Sequence, residues 1–214
     1  MHTQIFSKKD LRDEALKKIA DLLAESKVIA FPTETVYGLG AHVFKEEAID
    51  KIYALKNRPK DKGLIVHLGK IEDAQKVAKD IPQIFYILAK KFFPGPLTII
   101  LKKRESVLSK ISIGSTLAVR MPASLYTLKL INYLGDPIVG TSANLSGAKN
   151  PISAKEVIKT FSGKIEIIMD TGICPIKIPS TIISLEHYPY KILREGKISK
   201  DEIDEALRSA NYDI

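Results

Sequence analysis

The stretch Phe31-Pro-Thr-Glu-Thr-Val-Tyr-Gly-Leu-Gly40 packs two hydroxyls (Thr33, Thr35), a carboxylate (Glu34), a phenol (Tyr37) and two glycines into eight residues. A loop that only turns the chain draws on Gly, Pro, Asn or Asp and has no use for so many different donors and acceptors. The alternative is a polar strand-to-helix turn. Next, Lys56-Asn-Arg-Pro-Lys-Asp-Lys62 sets four cations, Lys56, Arg58, Lys60 and Lys62, within seven residues. Arginine offers a planar fork to phosphate or carboxylate and lysine a compact point charge, so this density suits a polyphosphate. A solvated basic loop is the competing account. His67 lies inside an apolar strand, where a hydrogen-bonded core histidine is the commoner outcome. Arg120 ends the run Thr116-Leu-Ala-Val-Arg120 and should emerge at the rim of a sheet, as a carboxylate clamp or a structural ion pair. Gly140-Thr-Ser-Ala-Asn-Leu-Ser-Gly147, followed by Asn150, offers uncharged hydrogen-bonding groups (Thr141, Ser142, Asn144, Ser146) among small residues; a Ser/Gly turn has the same composition. Pro179-Ser-Thr-Ile-Ile183 enters a strand through Ser180 and Thr181, and Arg194 sits at a strand end in Leu193-Arg-Glu-Gly196.

The elements that must position these groups alternate along the chain. A first helix is predicted with Ser7 as its cap and Leu11, Ala15, Ile19, Leu22 and Leu23 as its apolar stripe. Val28–Ala30 reads as a strand feeding the opening loop, and Lys45–Lys56 as the next helix. Strands are expected at 64–68, 97–101, 116–120, 137–141, 165–169, 181–185 and 191–193. Helices are expected at 72–79, 82–93, 125–134 and 155–161, with a last helix capped by Ser199 and Glu202. Phe93-Pro-Gly-Pro96 stops its helix abruptly. The alternation points to one α/β domain over residues 1–214, with the motif-bearing core at about 28–196. The short, irregular links favour a twisted mixed (parallel and antiparallel) open sheet flanked by helices. Neither a GxGxxG after the first strand nor a GxxxxGK[ST] occurs, which excludes those two phosphate-binding designs.

Composition narrows the classes. Lys and Arg exceed Asp and Glu by 33 to 25, a net charge of +8 that favours anionic partners. One cysteine, Cys174, excludes an internal disulfide framework and a multi-cysteine zinc site, and it fits a reducing compartment. The four histidines lack metal-ligand spacing, so a protein-ligated transition metal is not expected. A hydrophobic share of 45%, a mean hydropathy of −0.01 and no apolar run near the roughly 20 residues that span a bilayer predict a cytoplasmic protein with no membrane contact.

Seven motifs in register carry a resemblance: Phe31-Pro-Thr-Glu-Thr-Val-Tyr-Gly-Leu, Lys56-Asn-Arg-Pro, Phe93-Pro-Gly-Pro-Leu-Thr98, Val119-Arg-Met-Pro122, Ser142-Ala-Asn-Leu-Ser-Gly147, Ser180-Thr-Ile-Ile183 and Leu193-Arg194. Together they resemble the YrdC-like threonylcarbamoyl-AMP synthases. The resemblance implies a deep, positively charged cavity and a reaction of L-threonine, bicarbonate or CO2 and ATP, with Mg2+ entering on the ATP phosphates. Its products would be threonylcarbamoyl-AMP and pyrophosphate, and a downstream threonylcarbamoyl-transferase machinery would modify tRNA. By the same resemblance, the Lys-x-Arg and Ser-x-Asn signature falls on Lys56, Arg58, Ser142 and Asn144 as catalytic residues. Thr35, His67, Arg120, Thr141 and Ser180 would hold threonine. Lys56, Arg58, Lys62, Thr116, Ser142, Asn150 and Arg194 would hold ATP.

Three departures stand out. Lys-Asp-Lys62-Gly63-Leu64 replaces a typical Asn-Pro-Leu, Asn150-Pro-Ile-Ser replaces Ser-Pro-Thr, and Leu-Arg-Glu-Gly replaces Leu-Arg-Pro-Gly. Two other functions compete. An RNA-binding module of the same fold would engage tRNA or double-stranded RNA through phosphates, with steep salt dependence and no response to threonine. The carbamoyl-transfer chemistry of hydrogenase-maturation proteins would need additional domains that a one-cysteine chain of this length does not contain.

Overall fold

In the computed structural model, residues 2–112, 114–187 and 189–212 are described. Ten strands form one sheet. They are β1 (Gln4–Ser7), β2 (Ile29–Phe31), β3 (Gly38–His42), β4 (Ile65–His67), β5 (Leu97–Lys102), β6 (Thr116–Arg120), β7 (Ile138–Ser142), β8 (Ile167–Asp170), β9 (Thr181–Ser184) and β10 (Lys191–Arg194). Their order is β1-β8-β2-β3-β7-β4-β6-β5-β9-β10. The β1–β8, β8–β2, β4–β6 and β5–β9 pairs are parallel and the other pairs antiparallel, so the sheet is mixed, as expected.

Register sorts the side chains onto two faces, because neighbours across a ladder point the same way and residues two apart share a face. One face carries Ile29, Phe31, Ile138 and Ile167, which pack under helices α1 (Asp13–Ala24) and α5 (Leu125–Leu134). The other carries Ala30, Leu39, Val66, Ile99, Val119 and Val139. It is covered by α2 (Glu46–Lys56), α3 (Ala74–Val77), α4 (Gln83–Phe92), α6 (Ala154–Phe161) and α7 (Lys200–Ser209). Helices α1 and α5 contribute to the core over β2, β7 and β8. Farther along the same face, from β4 to β9, a cavity lies against the sheet.

Local expectations met the structure unevenly. Ser199 and Glu202 do close a capping box on α7, with Ser199 Oγ accepting from the Glu202 amide at 3.2 Å. Ser7 caps no helix. It ends β1, a strand absent from the predicted elements, and α1 begins at Asp13 behind Arg12. The stripe that α1 buries is Leu16, Ile19, Ala20 and Leu23, while Ala15 and Leu22 are half-buried. The opening loop is not a strand-to-helix turn: it joins β2 to antiparallel β3, and two glycines disguise β3 in the sequence. Their lack of a side chain has a steric cause. A Cβ on Gly38 would lie 2.4 Å from the Phe31 ring, and one on Gly140 would lie 2.9 Å from both Phe31 and His67.

Candidate active site

The cavity, of about 430 Å³, is within the size range of small-molecule sites. On β6, Thr116, Ala118 and Arg120 occupy alternate positions toward it, which separates Thr116 from Arg120 by about 13 Å along the strand. Two chemically different ends result.

At the Arg120 end everything is anchored. Arg120 Nη2 donates to Glu34 Oε1 at 2.6 Å and to Thr35 Oγ1 at 3.0 Å, and its Nε donates to the Gly95 carbonyl at 3.2 Å. The second Glu34 oxygen accepts from the Ala123 amide at 3.0 Å. Both side chains of this ion pair are 5% exposed. Arg120 is therefore a buried, carboxylate-neutralised residue rather than one emerging at a sheet rim. Among the described residues its Nη1 amine has no hydrogen-bond partner, so one edge of the fork remains for a ligand. The opening loop folds itself around this pair, with Thr33 Oγ1 donating to the Val36 carbonyl at 2.6 Å and lying 3.0 Å from Thr35 Oγ1.

His67 pairs with Arg120 in the β4–β6 register and stands edge-on to Phe31, ring centroids 5.1 Å apart. Its Nδ1 lies 3.2 Å from the Ile65 carbonyl. A carbonyl only accepts, so the proton sits on Nδ1 and Nε2 is left as an acceptor. Burial, reinforced by the Arg120 charge, pushes the imidazole down to about 3, which makes it neutral at physiological pH. Ser180 completes this end: its hydroxyl meets Thr98 Oγ1 at 2.8 Å, and its carbonyl accepts from Arg194 Nη2 at 2.8 Å.

The other end is built on loops. Arg58 follows the left-handed Asn57 (φ 47°) that ends α2, a conformation asparagine tolerates. Its Nε donates to the Lys62 carbonyl at 3.0 Å and its Nη2 to the Gly63 carbonyl at 2.6 Å, which closes the basic loop on itself. The Leu64 amide donates to the Ile111 carbonyl at 2.7 Å and ties that loop to the segment before β6. Burial pushes both Arg58 and Arg194 below the usual guanidinium range, with the Arg120 charge adding to the effect on Arg194.

Of the sequence-predicted residues, Thr35, Arg58, His67, Thr116, Arg120, Thr141, Ser142, Asn150, Ser180 and Arg194 all line this one cavity. Lys56, Lys62 and Asn144 do not. The Lys56 ammonium is buried and donates to the Ser142 carbonyl, the Asn144 carbonyl and Asn144 Oδ1. Those three acceptors use all three of its N–H groups, leaving none for a phosphate. Burial and the Arg58 charge push this ammonium down to about 7. Asn144 Oδ1 also accepts from Ser142 Oγ at 2.6 Å, and its Nδ2 donates to the Ala148 carbonyl. The Lys-x-Arg and Ser-x-Asn pairs thus divide in space. Arg58 and Ser142 face the cavity, while Lys56 and Asn144 brace the 142–148 loop from beneath. Lys62 is exposed, and its carbonyl rather than its ammonium supports Arg58.

Sequence reasoning missed two site residues. Glu34 was visible in the opening motif, yet nothing in the sequence showed that it neutralises a residue 86 positions away. Ser112, which also lines the cavity, belongs to no recognisable motif. Among the described residues no group of three or more His, Cys, Asp or Glu side chains is placed to hold a metal ion, and no helix is long and apolar enough to cross a membrane.

Comparison with known proteins identifies the family and agrees with the fold. The Sua5/YciO/YrdC family profile, described as "Telomere recombination", matches residues 21–196. A threonylcarbamoyl-AMP synthase from Pyrococcus abyssi is 46% identical over 189 residues, covering 88% of this chain and 56% of that protein. One from Bacillus subtilis is 39% identical over 203 residues, covering 94% of this chain and 59% of that protein. The crystal structure of P. abyssi Sua5 complexed with L-threonine superposes with a TM-score of 0.91 at 41% identity, over 97% of this chain and 61% of that one. The chain therefore spans less than two thirds of the length of these relatives.

Proposed function

We propose a reaction for this chain from two facts: it belongs to the Sua5/YciO/YrdC family, and its cavity joins a charge-neutralised end to a cationic one. The reaction is formation of threonylcarbamoyl-AMP from L-threonine, bicarbonate or CO2 and ATP, with release of pyrophosphate. The observation that carries it is the Glu34–Arg120–Thr35–His67 cluster, which suits a zwitterionic amino acid. The free Nη1 edge of Arg120 would take the threonine carboxylate. His67 Nε2 would accept a hydrogen bond from the substrate hydroxyl or ammonium, and Thr35 and Ser180 would complete the fit. With carboxylate and hydroxyl fixed, the threonine ammonium gives up a proton to solvent, the free amine attacks the CO2 carbon, and a second proton passes to solvent to leave a carbamate. A carbamate oxygen then attacks the α-phosphorus and pyrophosphate leaves.

Arg58 and Arg194 would stabilise the charge that builds on the departing pyrophosphate, with Ser142, Thr141, Asn150 and Thr116 as uncharged contacts to the nucleotide. Lys56 and Asn144 would act through the loop they brace. Lys62 lies outside the cavity wall, so any phosphate contact from it would be at the rim. Glu34 is committed to Arg120, and no other carboxylate is among the described residues that line the cavity. Mg2+ would enter on the triphosphate and neutralise part of its charge. The cavity supplies no covalent nucleophile; its contribution is orientation of three substrates together with electrostatics. The product would feed threonylcarbamoyl transfer to tRNA in the reducing cytoplasm.

Pyrophosphate release from ATP with Mg2+ and bicarbonate tests the proposal. Release should require L-threonine and fail with serine or alanine. Threonine-independent release, or binding of neither substrate, would reject it. RNA binding is the second reading, favoured by the exposed Lys60 and Lys62 beside the cavity and by the net charge of +8. Salt-sensitive RNA affinity without any response to threonine would place it first.

A further inference from the structure

Ser112 lies just before β6, after the short 3-10 turn Ser109–Ile111, and lines the cavity at the end that holds Arg58 and Thr116. Its hydroxyl is buried and, among the described residues, is the one buried side-chain polar atom without a hydrogen-bond partner. Buried polar groups are nearly always paired, because an orphaned one loses its hydration with nothing in exchange. The backbone just before Ser112 is firmly placed. The Leu64 amide donates to the carbonyl of the preceding residue, Ile111, at 2.7 Å, and Tyr53 Oη lies 2.7 Å from the Lys110 carbonyl and 3.0 Å from the Lys62 carbonyl. These contacts lock the segment against the loop that carries Arg58. Leu64 and Ile111 beside it are buried and apolar. An uncharged donor and acceptor in such surroundings matches a neutral polar edge better than a phosphate, whose charge would be served by Arg58.

We infer that Ser112 is a nucleoside-recognition residue: its hydroxyl hydrogen-bonds an uncharged polar edge of the bound ATP, on the ribose or the base. This inference rests on the proposed ATP-dependent reaction. The orphaned hydroxyl is then a cost carried by the ligand-free protein and recovered when the nucleotide binds, which makes the site favour nucleotides that present the matching group.

The test is calorimetric titration of Mg2+-ATP, 2′-deoxy-ATP and purine riboside triphosphate into the wild type and Ser112→Ala, together with thermal unfolding of both proteins. Ser112→Ala should bind ATP about three- to tenfold more weakly while its threonine affinity stays unchanged. It should also lose whatever preference the wild type shows for ATP over one of the two analogues, which identifies the ribose or the base as the partner. The ligand-free variant should be as thermostable as the wild type or more so. A structural hydroxyl with an internal partner would instead lower its stability, and that result would overturn the inference. Equal ATP affinity in the two proteins would overturn it too, leaving the proposed reaction intact. A wild type that binds no ATP would remove both.

Discussion

Arg120 and Arg58 both face the cavity, but Arg120 is tied to a buried carboxylate while Arg58 donates to backbone carbonyls of its own loop. The Arg120 end is pre-assembled from a sheet strand and a self-bonded turn, and the Arg120 charge is balanced before any ligand arrives. Arg58 makes no salt bridge among the described residues, and its end relies on loops. The difference matches two kinds of ligand. A zwitterion carries no net charge and is selected by geometry, so a balanced, rigid pocket suits it. A polyphosphate carries several negative charges and is best met by cations that have no competing carboxylate.

The sharpest way to break this comparison is to remove the balance. Glu34→Ala leaves the Arg120 guanidinium buried and unpaired, so unfolding in denaturant should show a loss of about 3–5 kcal/mol. A loss below about 1 kcal/mol would mean that the pair is not structural. Arg58→Ala probes the opposite end. Pyrophosphate release should fall roughly 10²–10³-fold, about 3–4 kcal/mol of transition-state stabilisation, with little change in unfolding free energy. Equal damage to stability would erase the distinction between the ends.

His67 supplies a pH test of the Arg120 end. Its folded value near 3 lies below the ordinary 6.5, so above pH 6.5 the imidazole is neutral in both states and contributes nothing. Between pH 6.5 and 3 the unfolded chain takes up a proton that the folded protein refuses, and stability falls as pH drops. At pH 5 the loss should reach about 2 kcal/mol. Denaturant titrations of His67→Asn should show a correspondingly shallower decline between pH 7 and 5; an identical decline would remove His67 from the buried cluster. The smallest effect is expected at Lys62→Ala. Its ammonium is exposed while its carbonyl supports Arg58, so turnover should change less than about threefold and stability by under about 0.5 kcal/mol. A drop like that of Arg58→Ala would bring the side chain into the site.

Legibility in the sequence followed the range of the interaction. Helix α4 after Pro82, the α7 capping box and strands β5, β6, β9 and β10 depend on neighbours a few residues apart, and they were readable within a residue or two. Strand β3 was not, because Gly38 and Gly40 look like turn residues until the Phe31 ring is seen lying against them. Ser7 resembled a cap because its partner Asp10 sits at the right spacing; the pair makes a turn instead, with the Ser7 amide donating to Asp10 Oδ2 at 3.0 Å. In the site, residue types announced the chemistry, but spacing could not say which member of Lys-x-Arg or Ser-x-Asn would face a ligand.

By itself the sequence determined the alternation of elements, the identity of the polar clusters and the family, since local propensity and residue type are properties of the chain. Only the tertiary structure decided that Arg120 is neutralised by Glu34, that Lys56 and Asn144 brace a loop, and that the Ser112 hydroxyl is buried without a partner. Each of these depends on which distant groups share a low-dielectric space. There a charge or hydroxyl is governed by the atoms that replace its water, and strand register, not sequence distance, selects those atoms.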